Sequence, residues 1–299
     1  MRLFCLVALA LPLMPIAAFA QPLAKAKTFP DCAALVASVT DLVVGPQGSV
    51  DDVQGGCRAR NVSYAISSIV HYTIDEVTLL TPGLLKTFSS GEVFESAELD
   101  IKGLRMQPQT HSPLQDYILA LTTIGVDLRL AYTTEPDALT SAVSFELGAG
   151  KLGRLAISAD LSDFDNTDID LEEVADATGT LNLLDVTLED SGLFVTMFAP
   201  AVLNAFLPQD EDPRPSIAAM QETAVAALAG LPADTLSPAS LAVLDTLIRA
   251  FPNPEGDWHV RFESADGISF ESLTSDDPAA LATILADARI RATGEPAAP

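Results

Sequence analysis

The chain has 299 residues and a formal charge of -25 at pH 7, from 16 Lys+Arg against 41 Asp+Glu. A surface of that sign is repelled by phosphate backbones and by anionic lipid headgroups, which excludes nucleic acid as a partner. With 48% hydrophobic residues and a mean hydropathy of +0.30, the chain has ample material for a core, which excludes intrinsic disorder.

Residues 1–20 read as an export signal: Arg2 supplies a positive charge, an apolar run follows, and Ala18-Phe19-Ala20 offers the small-x-small pattern of a signal-peptidase site. Pro12 and Pro15 speak against an uncleaved anchor, and Arg2-Leu3-Phe4 is not the approach to a lipidated Cys5. The expectation is a mature chain of residues 21–299, periplasmic or secreted. After the signal, no uninterrupted apolar run reaches the roughly 20 residues of a transmembrane helix.

Beyond the signal, Cys32 and Cys57 form an isolated pair, which in an oxidising compartment reads as a disulfide. Such a bond stabilises a domain by about 3 kcal/mol in the chain-entropy model. Neither a Cys-x-x-Cys motif nor a lone cysteine beside a base is present, so no redox or nucleophilic thiol is expected. Asp31 can cap a short helix with Leu35, Val36, Val39 and Leu42 on one face, clipped by the disulfide to the first strand.

Residues 57–188 follow period two, the signature of strands with one covered face. The alternation is clearest in 61–66, 70–74, 97–102, 125–130, 142–147, 154–161 and 179–188. Seven or more strands without helix-length interruptions predict a curved, mostly antiparallel sheet built from meanders. Between the last two strands lies an acidic run in which Asp163, Asp165, Asp168 and Asp170 could hold calcium. The calcium-loop template fails there, because its sixth position is Asp168 instead of glycine and its twelfth is Val174 instead of glutamate, so a solvated turn is the better reading.

Residues 193–207 have only Thr196 and Asn204 as polar side chains, and Pro200 should kink or split a helix there. A segment apolar nearly all round is buried, or it meets lipid or a partner. Burial under the sheet is the plainer reading. The sharper one makes Phe194, Met197, Phe198, Leu203 and Phe206 the wall of an apolar ligand cavity.

Helical spacing continues to the end of the chain. Ser216 is the expected cap of a helix running to Ala229, and Ser237-Pro238 opens another whose buried stripe is Leu241, Leu244, Leu247 and Ile248. Residues 258–263 and 268–273 read as a hairpin around Ala265-Asp266-Gly267. Asp277-Pro278 starts a last predicted helix, with Arg289 and Arg291 in its final turn.

Chemical motifs are absent. His71, His111 and His259 stand alone without zinc spacing, and neither Gly-x-Ser-x-Gly nor a phosphate-cradling glycine loop occurs. No metal and no cofactor is expected. The sequence predicts an α+β fold of sheet, disulfide-clipped N-terminal helix and three or four C-terminal helices packed on one face. Residues 21–299 are taken as one domain; the alternative divides them into 21–190 and 191–299 with a linker at 209–215. The leading function is non-catalytic binding of an apolar, lipid-like or amphipathic ligand or an envelope partner. The rival is a secreted hydrolase with a carboxylate-based site.

Overall fold

The computed structural model describes residues 29–39, 42–65, 70–86, 94–108, 112–135, 138–163, 179–207, 212–273, 285 and 288–297. The export signal and Asp165, Asp168 and Asp170 lie outside the described residues. Among the described residues, ten strands follow in sequence order in one open sheet: β1 Leu42–Val53, β2 Gly56–Ala65, β3 Val70–Leu80, β4 Ser96–Pro108, β5 Val126–Glu135, β6 Thr140–Gly148, β7 Gly153–Ser162, β8 Thr180–Asp190, β9 Gly256–Ser269 and β10 Arg289–Pro296. The described registers between these strands are antiparallel. Six α-helices accompany them among the described residues: α1 Cys32–Ser38, α2 Pro113–Thr122, α3 Ala199–Phe206, α4 Pro213–Ala229, α5 Pro238–Ala250 and the single turn α6 Phe270–Leu273. None is long and apolar enough to cross a membrane. The chain divides into two compact units, one of Pro22–Thr134 and Ser144–Gly150, the other of Glu135–Val143 and Lys151–Pro299.

In the first unit, alternation sorts the sheet into two faces. Ala59, Val62, Ile74 and Ile101 are buried on one, with Val50, Val77, Leu99 and Leu128 packed around them. The opposite face carries a ladder of ion pairs, Asp51–Arg60 at 2.9 Å, Arg60–Glu76 at 2.9 Å and Lys102–Glu76 at 3.1 Å. Helix α1 starts where expected, because Asp31 Oδ1 accepts the Ala34 N–H at 2.8 Å. Its buried Cys32 and Leu35 pack with Phe29, Cys57 and Leu84, and the Cys32–Cys57 disulfide joins it to β2.

Three features of this unit depart from the sequence reading. The predicted α1 stripe ended at Leu42, whereas the helix ends at Ser38, Val39 turns extended and Leu42 opens β1. Strand β1 was masked by Gly45, Pro46 and Gly48, which sit between the paired Val44 and Ser49, where the register shifts. At an edge strand the missing proline N–H costs no ladder bond. Helix α2 interrupts the strand-rich half with the Ser-Pro start that opens α5: Ser112 Oγ accepts the Gln115 N–H at 3.3 Å.

The second unit builds its core on the apolar face of β7–β10. Ala159, Leu161, Leu181, Phe262, Ile268, Ile290 and Ala292 are buried there together with Leu236 and with Leu244 of α5, and Leu228, Leu241 and Leu247 pack against them. Helix α5 begins as predicted, with Ser237 Oγ accepting the Ser240 N–H at 3.2 Å. Helix α4 starts one turn earlier than predicted, capped by Asp212 instead of Ser216.

Beyond α5, the predicted hairpin and the predicted end of the last helix are both overturned. Residues 256–269 are one continuous strand: Leu181 pairs with Ile268 but Leu183 pairs with Glu263, so Ala265-Asp266-Gly267 is a bulge against β8 instead of a turn. Arg289 and Arg291 lie in β10, paired with Glu263 and Arg261, so they do not cap a helix. The alternation of exposed Arg289 and Arg291 with buried Ile290 and Ala292 has period two, and pairing with β9 realises it. The outer edge of β10 is covered, because Ile290 N–H donates to Thr235 O at 2.8 Å and Ala292 N–H to Ser240 Oγ at 3.2 Å.

Candidate functional site

The end of β8 sets the geometry of the apolar segment. Asp190 is only 3% exposed, yet its Oδ1 accepts the N–H groups of Gly192 at 2.8 Å and Phe194 at 3.2 Å. The carboxylate thus satisfies donors at the start of the following helix and meets the positive end of its dipole. Its Oδ2 has no hydrogen-bond partner among the described residues. Gly192, at φ +107, makes the reversal that a side chain would strain.

The helix opens as a π-turn, Phe194–Phe198, closed by the Ala199 N–H donating to Phe194 O. Pro200 explains the widening: its ring has no N–H to donate and crowds the carbonyl four residues earlier, that of Thr196. Helix α3 follows at once. Such π-turns are rare and recur at functional sites.

The segment divides by burial. Leu193, Phe198, Ala199 and Val202 are buried. Phe194 is half-buried, with its ring 5.8 Å from that of Phe198 and 5.9 Å edge-on from that of Phe251. Val195 and Met197 face outward, each 38% exposed. Leu203 is half-buried in α3, and the side chain of Phe206 lies outside the described ones. Of the five predicted residues, the structure therefore brings Phe194, Met197 and Phe198 together on one turn, with Val195 and Phe251 added.

A second feature escaped the sequence reading, because its residues come from three strands far apart in the chain. Thr187, His259 and Thr293 share one rung of β8–β9–β10, and Glu189, Asp257 and Glu295 share the rung beside it. Together they line a shallow groove of about 490 Å³ on the polar face of the sheet. On the other side of the His259 rung, His259 Nε2 lies 3.0 Å from Asp185 Oδ1, and Arg261 donates to Asp185 Oδ2 at 3.1 Å and to Glu263 Oε1 at 2.7 Å. The Arg261 hydrogen bond holds the Glu263 carboxyl below the usual range. Glu189, Asp257 and Glu295 are all exposed, and Leu188, Trp258 and Gly294 complete the lining of the groove.

Among the described residues, Cys32, Asp52 and Cys57 form the group whose ligand atoms lie close enough to share a metal. Both sulfurs are committed to the disulfide, and Asp52 Oδ1 accepts the Cys32 N–H at 2.9 Å, so the group is a structural clip. Of the candidate calcium ligands only Asp163 is described, at the end of β7 with φ +51. Neither a protein-family model nor a curated protein nor a solved structure matches this chain.

Proposed function

We propose that the chain is exported by cleavage after Ala20 and works in the periplasm or outside the cell as a non-catalytic protein that binds an apolar or amphipathic ligand or an envelope partner at the π-turn. The carrying observation is the exposure of Val195 and Met197 beside the half-buried Phe194 and its contact with Phe251. Methionine and aromatic side chains of this kind adapt to apolar ligands of varied shape. The turn is held from below by Leu193, Phe198 and the buried Asp190 cap, so the outward residues stand on a fixed base. The Cys32–Cys57 disulfide accords with an oxidising compartment.

Binding of a fluorescent fatty-acid probe tests the reading. The wild-type protein should take up the probe, and Val195→Ser with Met197→Ser should weaken uptake at least tenfold while leaving the melting temperature unchanged. A wild-type protein that leaves the probe free in solution overturns the ligand reading. Sequencing of the mature N-terminus should begin at Gln21, and recovery of a chain that retains Met1 would sink the export step.

A further inference from the structure

We infer that the amphipathic ligand of the π-turn carries a positive head, an ammonium or guanidinium group, in preference to a carboxylate; this rests on the reading of the π-turn as the binding site. The turn springs from a strongly anionic end of the sheet. Asp190 pairs there with Gly256, and Gly256 with Pro296, while Glu189, Asp257 and Glu295 share the next rung. Those three carboxylates are exposed, as is Glu255 just before β9. Among the described residues, the cations at this end are Lys151, just before β7, and Arg154, which is paired with Glu189 in the register of β7 and β8. The field keeps its sign farther out: between Arg154 and Arg214 the sequence has 14 acidic residues and no Lys or Arg. Residues 135–143 and 151–299 together hold 7 Lys+Arg against 28 Asp+Glu.

An anionic head meets two obstacles. The start of a helix is the usual seat for a carboxylate, but here the N–H groups of Gly192 and Phe194 already donate to Asp190 Oδ1. The surrounding field then repels it, over a screening length of about 30 Å at 0.01 M salt. A positive head meets the same field as an attraction, and it can lie against the face of the Phe194 or Phe251 ring, which meet edge-on at 5.9 Å. Contact of the alkyl tail with Val195 and Met197 is common to both heads. Between amphiphiles of equal chain length, the charge of the head therefore decides.

Direct titration of the purified protein with two fluorescent probes of the same alkyl chain, one ending in a carboxylate and one in a trimethylammonium group, tests the inference below their micellar concentrations. Both should bind, the ammonium probe about tenfold more tightly at low salt, and the gap should close at high salt. Glu189→Gln with Asp257→Asn should bring the ratio down severalfold. Val195→Ser with Met197→Ser should weaken both probes; ammonium uptake that persists in that variant is general attraction to an acidic surface and overturns the inference. Equal or tighter binding of the carboxylate probe overturns it too, as does a preference that neither salt nor the Glu189 and Asp257 changes reduce. A protein that takes up the two probes equally keeps the π-turn as its ligand site and loses only the positive head, whereas one that takes up neither loses both.

Discussion

Helices α1 and α5 attach to their parts of the sheet by different means. Helix α1 has 7 residues and buries only Cys32 and Leu35; it is tied to β2 by a covalent bond, and its first N–H is held by Asp52 of β1. Helix α5 has 13 residues, buries Ser240, Leu244 and Ile248, and reaches β10 through the Ser240 hydroxyl. The contrast teaches that a helix under two turns cannot bury enough apolar surface to offset the entropy of ordering it, so it needs a clip. At nearly four turns a leucine-rich stripe does the same work mainly by packing, with one hydrogen bond from the Ala292 N–H to Ser240 Oγ.

Replacing Leu244 by Ala should lower the unfolding free energy by about 3 to 4 kcal/mol, the cost of a cavity in a well-packed core. Denaturant titration reads it. A loss under about 1 kcal/mol would mean that packing does not hold α5.

Next in size is the clip itself. Cys32→Ala with Cys57→Ala should cost about 3 kcal/mol in the loop-entropy model. Hydrogen exchange should show protection lost in α1 and at the β1–β2 end while α5 keeps its own. Uniform loss across both helices would show that the two attachments are not independent.

A smaller effect belongs to the cap beneath the π-turn. Asp190→Ala leaves the N–H groups of Gly192 and Phe194 without their acceptor and should cost about 1 to 2 kcal/mol, measured by thermal unfolding. A neutral outcome would show that the unpartnered Oδ2 already cancels the gain from Oδ1.

The smallest effect concerns the exposed ion pairs of the two units. Among the described residues, hydrogen bonds hold four carboxyls below their ordinary values: Arg105 acts on Asp75, Lys102 on Glu76, Arg261 on Glu263 and Arg249 on Glu222. A depressed folded-state value means that the contribution is complete above the ordinary values of 3.8 for Asp and 4.5 for Glu, and is lost as pH falls through the folded ones. The melting temperature should therefore hold steady from neutral pH to about 5 and decline below it, less steeply in high salt because exposed pairs are screened. Arg105→Gln should flatten the Asp75 part of that decline, and an unchanged slope would show that the pair contributes nothing.

What was legible in the sequence is the part governed by near neighbours. The Asp31 and Ser237 caps, the α5 stripe, the Cys32–Cys57 bond and seven strand centres depend on residue type and spacing, and all appear in the structure. The Ser112-Pro113 start of α2 and the alternation of β10 carried equally local signals that were missed, the one lost among strand patterns and the other read as a helix end.

Tertiary structure decided the rest, because those choices depend on partners far along the chain. Ala265-Asp266-Gly267 has the composition of a turn, and only the presence of β8 and β10 on either side of β9 makes it a bulge. Strand β1 accommodates Pro46 because it lies at the sheet edge and within the shift between the paired Val44 and Ser49. No window of sequence brings Thr187, His259 and Thr293 to one rung, or shows that Met197 faces water while Phe198 faces the core. Local propensity determines which elements form, whereas the face an apolar residue presents is set by what packs across from it, and that information is spread over the whole chain.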